Sequence, residues 1–126
     1  MREGKPPLSS RITGTQSEVL ASFRRLADAH MLVLQPESGE ILMAGPYSAV
    51  PTPFRVRARG VSAYGNCVWD ALGIPAMLQS DGEIDTSCAD CGTSASFRIV
   101  DGTLDGDGLM HFAILARDWW KDLVFT

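Results

Sequence analysis

Tyr64-Gly65-Asn66-Cys67-Val68-Trp69-Asp70-Ala71-Leu72-Gly73-Ile74-Pro75-Ala76-Met77-Leu78 is the stretch on which the fold turns. Cys67, Trp69, Leu72, Ile74, Met77 and Leu78 are spaced as in a helix over 66–79. Gly73 and Pro75 weaken that helix and predict a break or kink near Ile74. Downstream the period changes from helical to alternating. From Glu83 to Cys88, Ile84, Thr86 and Cys88 share one face, which suits Cys88 to a core position. From Ser94 to Val100, Ala95, Phe97 and Ile99 oppose Ser96 and Arg98. Asp101-Gly102 and Asp105-Gly106-Asp107-Gly108 mark turns. Leu109 to Ala116 is nearly all apolar and predicts a central, doubly covered strand. Arg117 to Asp122 suits a short helical turn, and Leu123-Val124-Phe125 a last strand or docked tail.

Upstream, Phe54-Arg55-Val56-Arg57-Ala58-Arg59 alternates apolar and basic residues as a half-exposed strand does. Pro46, Pro51 and Pro53 punctuate a loop that is no central strand. Met31 to Leu34 and Ile41 to Ala44, with Glu37-Ser38-Gly39-Glu40 between them, predict a hairpin. Thr15-Gln16-Ser17-Glu18 has the form of a capping box and opens an amphipathic helix over 16–30, with Val19, Phe23, Leu26, Ala27 and His30 on its apolar stripe. The order is helix, hairpin, strand, helix and several strands. That is an α+β fold with mainly antiparallel pairing. Residues 1–14 are expected as a flexible lead-in, 15–53 as a helix-hairpin unit and 54–126 as the α+β core.

The bulk properties agree. The 126 residues suffice for one core, with 45% hydrophobic and 21% charged residues. A net charge of −4 argues against non-specific nucleic-acid binding. Arg24 and Arg25 are therefore expected on a solvated helix face rather than on DNA. No apolar run approaches a membrane span, and MREGKPPLSS has no signal-peptide core, so the expectation is a cytoplasmic protein. Three cysteines are an odd number for a disulfide framework. They read as filler, metal ligands or nucleophiles.

Cys67 and Asp70 stand three apart, on one face of a helix. With Asn66 as cap, Cys67 falls in the first turn, where the helix dipole favours a thiolate. Asp70 can take the thiol proton and return it to a leaving group, and a thiolate is a preferred ligand for soft metals. The same spacing also suits a core cysteine beside an ordinary polar residue. Cys88-Ala89-Asp90-Cys91 has the spacing of half a zinc site, which Cys67 and His111 could complete. His111 equally suits a satisfied core histidine. Tyr64, Asn66, Trp69 and His111 are candidates to line a pocket, with Trp69 to keep water from it, and Trp119 and Trp120 are expected as packing groups.

The Tyr64–Leu78 block resembles the catalytic helix of organomercurial (alkylmercury) lyases, with an aromatic residue, Cys-x-x-Asp and an apolar run with Pro-Ala. Asp85 to Gly92 resembles the family's strand ending in Cys with a Gly-containing turn, and Pro51-Thr52-Pro53-Phe54-Arg55-Val56 its Pro-Thr-Pro segment. The resemblance spans about residues 16–116. It implies that the helix-hairpin unit is the remnant of a winged-helix-like region. It further implies Cys67 as mercury ligand, Asp70 as proton carrier, and protonolysis of a carbon–mercury bond without a required cofactor. The second catalytic Cys that the family places before a His-Phe strand is absent from Asp105 to Phe112. Cys91 or a small external thiol is then expected to take its part. Two other readings stand beside this one. The first is a non-catalytic binder of mercury, zinc or copper through Cys67, Cys88 and Cys91; the second is a relative recruited to another thiol-dependent reaction on a small molecule.

Overall fold

The computed structural model describes residues 4–112 and 114–121. Helix α1 runs from Gln16 to Asp28, and its capping box forms: the Thr15 hydroxyl accepts from the Glu18 N–H, and the Glu18 carboxylate accepts from the Thr15 N–H. Val19 and Phe23 bury its apolar stripe against Ile41, while Arg24 and Arg25 stay exposed. The helix stops short of His30. The N–H of His30 donates to the Ala27 carbonyl and that of Met31 to the Leu26 carbonyl, with His30 left-handed at φ +58°. These paired bonds form a Schellman cap, with a histidine where glycine is usual.

Strands β1 (Leu32–Leu34), β2 (Ile41–Ala44) and β3 (Tyr47–Ser48) form a small antiparallel sheet in that order. The two-residue strand after Pro46 lies at its edge, the position open to a proline-flanked segment. The larger sheet has the order β5-β4-β6-β7-β8, from β4 (Arg55–Ala58), β5 (Val61–Tyr64), β6 (Gly82–Ser87), β7 (Ser94–Val100) and β8 (Thr103–Asp105), all antiparallel. Val56, Ala58 and Ile84 point to one face and pack against Ala71 and Ile74 of helix α2 (Val68–Leu78). The opposite face carries charge. Arg57 donates to Glu83 at 2.9 Å and to Asp85 at 2.7 Å, and Arg98 pairs with Asp105. Alternation thus sets the sheet, as the sequence predicts for β4, β6 and β7.

The two sheets meet at Tyr47. Its ring is buried in the larger core, and it bridges Gly65 at the end of β5. Gly65 admits no side chain: a Cβ there would lie 2.7 Å from the Ala71 nitrogen. That contact brings the start of α2 directly onto β5.

Four expectations are corrected. From Gly4 on the lead-in is docked: Gly4, Pro6 and Ser9 are buried, and the Ser9 N–H donates to Glu40 at 2.8 Å. Helix α2 is not broken at Ile74. It continues through a buried Pro75, whose ring packs where a side chain on Gly82 would stand. The apolar run Leu109–Ala116 makes no strand among its described residues; Leu109 is fully exposed, and Ala116–Lys121 is a 3₁₀ helix. The cause lies in the sheet, which already ends at the short, exposed β8, so the chain leaves it and carries Phe112, Trp119 and Trp120 elsewhere. Cys88 lies just past β6 in an exposed turn, outside the core to which the alternation assigned it. The predicted element over Leu123–Phe125 lies outside the described residues.

Candidate active site

Cys67 itself, not Asn66, is the N-cap of α2. Its carbonyl accepts the first helical bond from Ala71 at 3.0 Å. Asn66 turns away and donates through Nδ2 to the Gly45 carbonyl at 2.9 Å, tying the helix start to the turn between β2 and β3. A second tie comes from the Pro51-Thr52-Pro53 segment. The Thr52 hydroxyl donates to the Gly65 carbonyl at 2.6 Å and accepts from the Phe54 N–H, while the Gly65 N–H donates to the Phe54 carbonyl. Every bond at this junction fixes the backbone immediately before Cys67.

One helical turn on, Asp70 comes level with the cysteine. The Cys67 thiol donates to Asp70 Oδ2 at 3.5 Å. Sulfur hydrogen bonds are longer than those of oxygen, and this one is a weak bond to a charged acceptor. Burial pushes the Cys67 thiol above its ordinary pKa; the backbone N–H groups of Asp70 and Trp69 at the helix start pull the other way, and the Asp70 charge adds to the rise. The expected helix-dipole gain is present but outweighed by desolvation. At neutral pH this is a protonated thiol facing a carboxylate, a donor and an acceptor for one proton.

Both groups open into a cavity of about 310 Å³. Its walls come from three places in the chain. Asn66, Trp69 and the pair itself come from the start of α2, and Met31 and Met43 from β1, β2 and their approach. Phe112, Trp119 and Trp120 come from the C-terminal stretch, with His30 beneath them. The His30 and Trp120 rings stack at 4.4 Å and 15°, and Phe112 and Trp119 meet at 5.2 Å. The Trp119 Nε1–H donates to the Ile114 carbonyl, which satisfies the indole away from solvent.

Of the expected site residues, Cys67, Asp70, Asn66 and Trp69 share this cavity. Tyr64, half-buried on β5, is not among its walls, and His111 is exposed with only its neighbour Phe112 turned inward. Cys88 and Cys91 are exposed on the turn between β6 and β7 and do not reach the cavity. Among the described residues no three His, Cys, Asp or Glu side chains group to hold a metal, so the set Cys67, Cys88, Cys91 is not assembled. Sequence reasoning missed His30, Met31 and Met43. A helical period places His30 on the apolar stripe; only the left-handed cap rotates it towards Trp120.

The family described as MerB, alkylmercury lyase, matches residues 47–126, more than half of the sequence. The chain belongs to the alkylmercury lyase family. A solved structure titled as the mercury-bound form of MerB2 shares the fold, with a TM-score of 0.58 and 22% identity. The match covers 77% of this chain and 47% of that one, so this chain spans about half of that protein's length. No curated protein matches the sequence. No helix among the described residues is long and apolar enough to cross a membrane.

Proposed function

We propose that the chain cleaves carbon–mercury bonds by protonolysis, with Cys67 as mercury ligand and Asp70 as proton carrier. The observation that carries this reading is the 3.5 Å contact between the Cys67 sulfur and the Asp70 carboxylate in an apolar, aromatic-walled cavity. Membership of the alkylmercury lyase family and the fold shared with a mercury-bound relative support it.

The pair accounts for every atom moved. Asp70 takes the proton from the Cys67 thiol, and the thiolate binds the mercury of an organomercury cation. The protonated Asp70 then gives that proton to the carbon as the carbon–mercury bond breaks. The hydrocarbon leaves, Asp70 is a carboxylate again, and Cys67 holds a mercury ion with one open position. Mercury is substrate here: one further thiolate fills the open position, and another must displace the Cys67 thiolate before mercury leaves as a bis-thiolate. Cys91 is outside the cavity, so small external thiols take both parts. The aromatic walls exclude water and receive the organic group.

The test is incubation with phenylmercury and excess small thiol, reading benzene by gas chromatography. The native chain releases benzene, and Cys67→Ser releases none above the uncatalysed rate. Absence of release by the native chain overturns the reading.

A further inference from the structure

The turn from Cys88 to Thr93 is built like a clip. The Cys88 N–H donates to the Thr93 carbonyl at 2.8 Å and the Gly92 N–H to the Cys88 carbonyl at 2.9 Å, with Gly92 left-handed at φ +71°. These bonds fold the turn back on itself and keep Cys88 and Cys91 within one closed turn. Both cysteines are free thiols and both are exposed. The Cys91 sulfur lies 3.2 Å from the Thr93 hydroxyl. Neither sulfur has any part in the cavity chemistry.

We propose that Cys88 and Cys91 form a second site on this chain, a two-thiolate chelate for a soft cation that accepts two sulfur ligands, with mercury(II) the best fit. The absence of a third grouped His, Cys, Asp or Glu among the described residues argues against a four-ligand zinc centre, which needs a closed tetrahedron. Thiolates select soft ions, and two of them satisfy a linear cation. Each thiol releases one proton to solvent, two sulfur–metal bonds form, and nothing is oxidised or reduced. With mercury(II) the product is a neutral bis-thiolate. The site rests on the geometry of the turn and does not depend on carbon–mercury cleavage at Cys67.

The probe is mercuric chloride, one equivalent per chain, in competition with two equivalents of a monothiol, read by native mass spectrometry on the full-length protein. Cys67→Ser is the reference, because it leaves only the turn thiols. It is expected to retain one mercury per monomer, with two protons displaced. Cys67→Ser/Cys91→Ser and Cys67→Ser/Cys88→Ser are each expected to retain about tenfold less or lower still, since linked ligands gain from their effective concentration. Equal retention in the double variants, no retention in Cys67→Ser, or one mercury shared between two chains each overturns the chelate. Benzene release by the native chain is read separately, so failure here and failure of the lyase reading are distinct results.

Discussion

Two thiols in this chain sit at opposite ends of one physical scale. At the start of α2, Cys67 is half-buried, and desolvation outweighs the helix-start amides, so its thiol is raised. At the tip between β6 and β7, Cys91 is exposed, and hydrogen bonds from Thr93 and Cys88 lower its thiol to about 7. A sulfur that is to be reached by an apolar organomercurial and to hand over a proton, the part proposed for Cys67, belongs in the first setting. One that only has to capture a cation from water belongs in the second. Proximity to a carboxylate does not by itself make a reactive thiolate; the environment decides which proton state rests there.

The sharpest way to break this contrast is alkylation by iodoacetamide, followed residue by residue with mass spectrometry. The thiolate is the reactive form, and it appears as pH rises through the pKa. Labelling of Cys91 should level off above about pH 7, while labelling of Cys67 should still be rising at about pH 9. Cys91 is therefore modified well before Cys67 at neutral pH. A reversed order removes the basis of the comparison.

A smaller effect tests what holds Cys67 in place. Gly65→Ala puts a Cβ 2.7 Å from the Ala71 nitrogen, so the start of α2 has to shift. A cost of about 1–3 kcal/mol is expected by denaturant titration, as for other overpacked sites. Benzene release should fall with it, while mercury retention at Cys88 and Cys91 should not. The smallest expected change is Thr52→Val, which removes the bond to the Gly65 carbonyl at nearly constant shape. About 1 kcal/mol is expected. An unchanged midpoint would detach the Pro51-Thr52-Pro53 segment from the support of the site.

The sequence carried the sheet well and the site in part, for physical reasons. Alternation in β4 and β7 follows directly from one buried and one solvated face, and it reads correctly from Val56 to Ile99. The capping box at Thr15 is local chemistry and also reads correctly. The apolar run after Gly108 does not. Its composition suits a buried strand, but whether it joins a sheet depends on the edge it meets, and that edge is the short β8. Cys88 fails for a related reason: the alternation is sound, but the strand ends one residue too soon. Cys67 and Asp70 were legible because a spacing of three at a helix start brings the N-cap side chain level with the first turn. Their cavity was not, because its walls come from His30, Met43 and Trp120, far apart in sequence and brought together by β1–β2 pairing, a left-handed cap and a stacked ring pair.

The division of labour proposed for Cys67 and Asp70 is tested most directly in a single turnover of Asp70→Asn with phenylmercury, by intact-protein mass and benzene yield. With the sulfur present and the proposed proton carrier gone, the variant is expected to stall as a phenylmercury adduct on Cys67, with benzene formed about 100- to 10,000-fold more slowly than by the native chain. Benzene formed at the native rate, with bare mercury left on the protein, would contradict the account.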